Sequence, residues 1–218
     1  MSKQFIGVLV VVVLALFGVF ALTKKSTDNN SGSNSPSNSD QLSEHKTGAG
    51  KKGVTLIEYG DYQCPVCKSY YPLVKQVQKA YGDDITFQFR NFPLTQLHPH
   101  AFEAARAAEA ASLQGKFWQM HDLLYENQDT WAQSSDPSSI FDTYAGQLGL
   151  DVNKFKTDQA SEQVASVINA DVKAALGLQA NGTPTFVING QKVETNPTDL
   201  ASFKQLIDNA ISGTQTNQ

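Results

Sequence analysis

The sequence predicts an α/β domain carrying an all-helical insertion, preceded by an apolar N-terminal segment and a polar tether. Three observations predict it. The β-branched apolar run "VTLIEYG" at 54–60 leads directly into a helical pattern and then into a second strand pattern, "ITFQFRNF" at 85–92, which together read as a βαβ unit. Helical character then fills residues 98 to about 178. Strand character returns in "TPTFVINGQKVET", where Asn189-Gly190 is a strong hairpin signal because both residues tolerate positive φ.

The elements follow in chain order. Phe5 to Leu22 is an apolar run of 18 residues without a charge, ended by Thr23, Lys24 and Lys25, long enough to span a bilayer. Residues 1–25 are therefore expected to form a single-pass anchor, with a signal peptide cleaved behind Val19 and Ala21 as the alternative. The charges flanking the run do not orient it. Residues 26–50, crowded with Ser, Asn, Gly and Asp, read as a flexible, disordered linker. Residues 51–218 remain for the folded domain, with 13 Lys and Arg against 18 Asp and Glu, a balance that excludes a nucleic-acid footprint.

Val66, Tyr70, Leu73, Val74, Val77 and Tyr81 recur at helical spacing, and "GDD" at 82–84 closes that helix. Within the insertion, "HAFEAARAAEAA" is rich in helix-forming Ala and Glu, and "GKFWQMHDLLYEN" restarts after Gly115. Further helices begin behind Ser135 or Asp136 and behind Asp151 as N-caps, and "SEQVASVINADVKAALG" ends at Gly177. "PTDLASFKQLIDNAI" is an amphipathic closing helix.

The two cysteines, Cys64 and Cys67, sit in "CPVC" at the first strand-to-helix turn. As half a zinc site they lack a second CxxC, and His98, His100 and His121 would have to complete the ligand set. As a structural staple, a disulfide closing so short a loop constrains the unfolded chain little. The third reading is a redox centre. A thiol at a helix N-terminus faces unpaired backbone N–H groups and the positive end of the helix dipole, which favour thiolate over thiol. Cys64 is then expected to be acidic, exposed and reactive. Cys67, one turn inward, is placed to attack a mixed disulfide formed at Cys64. Pro65 suits the first turn, where its N–H is not needed.

"CPVC" behind a strand, followed after the helical block by "GTPTF" at 182–186, resembles the DsbA family of thioredoxin-fold thiol–disulfide oxidoreductases, over about residues 54–211. The resemblance implies a thioredoxin-like fold and a role for each matching position. Cys64 would be the nucleophile and Cys67 the buried resolving thiol, with Pro65 and Val66 as the dipeptide that tunes the redox potential. Pro184 would be the cis-proline beside the site, and Thr183 would offer its backbone to an extended substrate. Glu58 would be the buried acid near the resolving thiol, and Pro72 the proline that kinks the helix. Val66 departs from DsbA proper, which has a histidine there that helps the nucleophile ionise. No cofactor is implied beyond the Cys64–Cys67 disulfide itself.

Other candidates read as structural. Glu58 lies between Ile57 and Tyr59 in a strand of apolar character, which favours burial. His98 and His100 flank Pro99 at a helix start as a cap and a surface residue, and no metal is expected. "DVNKFKTDQASE" from Asp151 begins like a calcium loop but carries Lys156 where glycine is required, so Asp151 reads as an N-cap. Phe117, Trp118, Leu124 and Tyr125 read as core. The expected protein is a bacterial, monomeric, membrane-anchored enzyme that introduces disulfides into secreted or surface proteins. Its partners would be cysteine-containing polypeptides and a membrane redox partner that reoxidises it, with the catalytic domain extracytoplasmic, as an oxidising compartment requires. A reductase or isomerase of the same fold, and a redox-inactive peptide-binding module, are the alternatives.

Overall fold

Parallel pairing of the first two predicted strands fixes the architecture. In the computed structural model, which describes residues 41–215, β2 (Val54–Gly60) and β3 (Ile85–Asn91) run parallel with Leu56 opposite Phe87 and Glu58 opposite Phe89. Parallel strands need a crossover, and α1 (Pro65–Tyr81) supplies it. Helix α1 starts behind Cys64 and stops at Gly82, whose φ of 49° few other residues adopt.

The sheet has the order β1-β3-β2-β4-β5. Strand β4 (Thr185–Ile188) lies antiparallel to β2, and β5 (Gln191–Lys192) returns beside it. The intervening Asn189 and Gly190 take φ of 47° and 81°, the geometry expected of the hairpin.

The seven helices of the described residues after α1 are α2 (Ala101–Ser112), α3 (Phe117–Glu126), α4 (Gln128–Trp131), α5 (Pro137–Gln147), α6 (Val152–Gln159), α7 (Glu162–Gly177) and α8 (Leu200–Gln215). Asp136, Asp151 and Ser161 cap α5, α6 and α7, each side chain accepting a hydrogen bond from a backbone N–H three residues on. Ala101, Ala104, Ala105, Ala107, Ala108, Ala110 and Ala111 are all buried. Small side chains let α3, α6 and α7 approach α2 closely, so α2 is the axis of the insertion.

Alternation along β2 divides the core. Leu56 joins Cys67, Phe87, Phe89 and Phe186 in the larger cluster, while Tyr59 points to the other side, packing with Phe92, Ala175, Ala180 and Val187. The C-terminal part of α7 covers that second face, so the insertion's last helix is also a layer of the sheet domain. This double cover explains why "VTLIEYG" reads as a continuous apolar run.

One boundary differs from the sequence reading. Residues 41–50, assigned to the linker, include β1 (His45–Thr47), which pairs antiparallel with β3. Ser43 is 3% exposed, so the fold begins before residue 51. The physical reason lies in hydrogen bonds that composition does not reveal. Asp171 accepts from the Ser43 N–H (3.0 Å), the Ser43 hydroxyl (2.6 Å) and the Asn91 N–H (3.0 Å). Gln88 donates to the Ser43 carbonyl at 2.7 Å, and His45 stacks on Phe117 with centroids 3.3 Å apart. The expected anchor at 1–25 lies outside the described residues, among which no helix is long and apolar enough to cross a membrane.

Candidate redox site

The site grows from the C-terminal end of β2. After Gly60 the chain turns through residues 61–64, where the Cys64 N–H donates to the Asp61 carbonyl at 3.1 Å. The buried Asp61 carboxylate holds this turn by accepting from the Gln63 N–H at Oδ1 (2.8 Å) and from the Leu94 N–H at Oδ2 (2.9 Å), and His98 Nδ1 lies 2.7 Å from that same Oδ2. Gly60 has to be glycine, because a Cβ there would lie 2.4 Å from the Phe89 ring and 2.9 Å from the Tyr125 hydroxyl.

Cys64 is the N-cap of α1 with extended backbone, Pro65 opens the helix, and both cysteines are free thiols. The Cys64 thiol is held well below its ordinary value, at about 5, chiefly by a hydrogen bond from the Cys67 thiol, opposed by burial and aided by Thr183 and the N–H groups of Cys67 and Val66. Cys67 is fully buried, and burial, the bond it gives Cys64 and the charges of Cys64 and Glu58 push its thiol well up. The pair therefore divides the chemistry: one sulfur holds negative charge at neutral pH and the other holds its proton.

Thr183 does more than the sequence suggests. The Thr183–Pro184 bond is cis, and the Cys64 thiol donates to the Thr183 carbonyl at 3.5 Å. The Thr183 hydroxyl has no hydrogen-bond partner, and a hydroxyl rotor is free to turn toward the sulfur once it ionises. This loop also corrects the expectation that Cys64 is exposed. Only 5% of Cys64 is accessible, because the Thr183 loop covers it, whereas the adjoining Val66 is 49% exposed.

Glu58 lies on the β2 face that carries Leu56 and is 2% exposed. Burial raises its carboxyl to about 8, so at neutral pH it keeps a proton. Its charge raises the Cys67 thiol, which places it within electrostatic reach of the resolving sulfur. Pro72 lies inside α1 as its sequence position implies.

The remaining predicted residues fall outside the chemistry. His98 serves Asp61, and the His100 N–H donates to Gln63 Oε1 at 2.6 Å. His121 is buried among Tyr62, Tyr71, Phe89, Phe117, Trp118 and Tyr125, and burial lowers it to about 3, a neutral ring packed as an aromatic. Asp151 caps α6 as expected. Among the described residues, no three His, Cys, Asp or Glu side chains are grouped to hold a metal.

The family model described as "Thioredoxin" matches residues 40–209. The chain belongs to the thioredoxin family. A solved thioredoxin-like oxidoreductase of Silicibacter pomeroyi shares 27% identity with a TM-score of 0.63, over 76% of this chain and 90% of that one. Oxidised BdbD of Bacillus subtilis shares 25% identity with a TM-score of 0.67, over 77% of this chain and 92% of that one. Among curated proteins, the Na(+)/H(+) antiporter NhaA 1 of Mycolicibacterium gilvum is 36% identical over 167 residues, 76% of this chain. The chain spans only about a quarter of such relatives' length.

Against this thioredoxin framework, the sequence reading missed the residues that reach the site from the insertion. Gln128 donates to the carbonyls of Tyr62 and Cys64, and Lys68 forms an ion pair of 2.6 Å with Asp129. Tyr62 and Tyr125 bring buried, unpartnered hydroxyls into the same region, their rings 5.0 Å apart. No local motif marks these residues; the signal available was the apolar density around Tyr125, read only as core.

Proposed function

We propose that this thioredoxin-family chain is a thiol–disulfide oxidoreductase that passes its Cys64–Cys67 disulfide to cysteine pairs of extracytoplasmic polypeptides. The observation that carries the reading is the contrast within the CPVC turn, a sulfur held at about 5 beside one pushed well above its ordinary value. In the oxidised enzyme a substrate thiolate attacks Cys64 Sγ, the Cys64–Cys67 bond breaks, and Cys67 leaves with the electron pair. Protonated Glu58 supplies the proton that Cys67 takes up. A second substrate thiolate then attacks the substrate sulfur of the mixed disulfide and releases Cys64 as the stabilised thiolate. The substrate loses two electrons and two protons, and a redox partner outside this chain must restore the disulfide.

Thr183 would lie against the substrate backbone and Pro184 would shape the loop beside Cys64, while Val66 offers the exposed apolar contact of the turn. The Cys64–Cys67 disulfide is the only redox group this reading needs, and Pro65 serves by leaving the first turn free of a competing N–H. The apolar run at 1–25 would hold the enzyme to the cell membrane with the domain extracytoplasmic. Transport, the activity named for the antiporter relatives, forms no part of the proposal.

The testing experiment is trapping. Cys67→Ala should accumulate covalent, reductant-sensitive complexes through Cys64, and Cys64→Ala almost none. Capture of nothing by Cys67→Ala, with normal folding of secreted cysteine proteins in a strain lacking both thiols, would leave a peptide-binding module instead.

A further inference from the structure

Helix α1 is not the only element that holds the redox turn. Gln128, on the short helix α4 of the insertion, is 4% exposed and spends both protons of its side-chain amide on that turn. One goes to the Tyr62 carbonyl at 2.7 Å and the other to the Cys64 carbonyl at 3.0 Å. The Cys64 carbonyl also accepts the first helical bond, from the Lys68 N–H at 3.1 Å. Helix α4 is itself fixed, because Trp131 is fully buried and donates to the Leu124 carbonyl at 2.8 Å. Two further contacts join the same pieces: Gln63 donates to the Ala132 carbonyl at 3.1 Å, and Lys68 pairs with Asp129.

We propose that Gln128 is a positioning residue for the redox centre, holding the Cys64 carbonyl so that the N–H groups of Val66 and Cys67 stay aimed at the Cys64 sulfur. The proposal rests on the thiol–disulfide reading above and deepens it by giving the insertion a part in setting the reactivity of Cys64. The chemistry selects glutamine for two reasons. It reaches two carbonyl oxygens at once, which needs two donors on one planar group. It brings no charge toward a sulfur that must carry one. Lysine would supply donors but would leave a cation buried in the turn, at a cost that burial makes large.

The test uses the full chain and two variants, each read by thiolate absorbance against pH, by the alkylation rate of Cys64 with iodoacetamide at pH 6, and by equilibrium with glutathione. Gln128→Leu removes both donors and keeps the apolar bulk. Its thiolate midpoint should rise by about one unit, which lowers the thiolate fraction and the alkylation rate at pH 6 by about twofold and shifts the glutathione equilibrium at pH 7 toward the disulfide by up to about tenfold. Gln128→Glu keeps the shape but turns an acceptor toward two acceptors, so it should raise the midpoint as well. It also serves if Gln128→Leu does not fold. A lower melting temperature with midpoint, alkylation rate and glutathione equilibrium all unchanged overturns the proposal, since a mere packing strut would behave so. A wild-type midpoint near 9 with no exchange against glutathione would instead defeat the underlying redox reading, and the proposal with it.

Discussion

Glu58 is the residue at which stability and function oppose each other most directly. A carboxyl held at about 8 in the fold and 4.5 in the unfolded chain binds more protons when native across that window. Its contribution to stability is therefore present below about 4.5, declines as pH rises, and is fully lost above about 8. The shift corresponds to at most about 5 kcal/mol at about 1.4 kcal/mol per unit. Glu58→Gln removes the penalty, so the variant should match wild type at pH 4 and exceed it in unfolding free energy from denaturant melts by a few kcal/mol at pH 8.5. The same substitution should slow formation of the mixed disulfide, in which Glu58 gives Cys67 its proton, more than the later release of Cys64 by the second substrate thiolate, which needs no proton from Glu58. Stopped-flow measurement of the two steps separates them; equal slowing would confine Glu58 to the fold.

At the scale of elements, the N-terminal strand and the insertion are stapled by buried polar groups in addition to their apolar contacts. Asp171 on α7 binds Ser43 ahead of β1 and Asn91 at the end of β3, and the Asn91 side chain donates to Glu109 on α2 at 2.6 Å. Glu109 Oε1 also lies 2.8 Å from His45 Nε2. Asp171→Ala would leave the N–H groups of Ser43 and Asn91 unpaired in the interior, at roughly 1–3 kcal/mol for each. Scanning calorimetry should show the melting temperature fall by about 5–15 °C, and a chain beginning at residue 51 should lose at least as much. A shift below about 2 °C would mean that water replaces the lost acceptor. This network also shows where the sequence stops being legible. Strands β2 to β5, helix α1, the hairpin and the caps at Asp136 and Asp151 were readable because each is a local pattern of period, turn residue or cap. Cys64, Cys67, Glu58 and Pro184 were readable because the strand-turn-helix motif and the resemblance placed them. Ser43 was not, since a small polar residue in a polar stretch differs from tether only through partners as distant as Asp171. Gln128 was hidden in the same way, as its acceptors are carbonyls that any sequence has.

For the whole molecule the question is which redox state the fold prefers, and the two cysteines answer it through pH. Cys64 titrates near 5 in the reduced fold and near 9 when unperturbed. A depressed value contributes stability in full above about 9 and loses it as pH falls through about 5. Only the reduced protein has this term, because a sulfur in the disulfide does not ionise. The loop entropy of the disulfide acts in the opposite direction but does not depend on pH, and Glu58 titrates in both states. The stability of the reduced form relative to the oxidised form should therefore rise by about 1.4 kcal/mol per pH unit between pH 5 and 9. Above that range Cys67, whose thiol is pushed up, should reverse the trend. At pH 7 two units of the window amount to about 3 kcal/mol, or about 60 mV toward a stronger oxidant. This preference is what a donor of disulfides needs, and it arises with Val66 at the position where DsbA proper has histidine. Paired urea melts of the oxidised and reduced chain at pH 5, 7 and 9 measure the slope. A difference that stays constant with pH would show that Cys64 is not the thiolate on which the proposed oxidase chemistry depends.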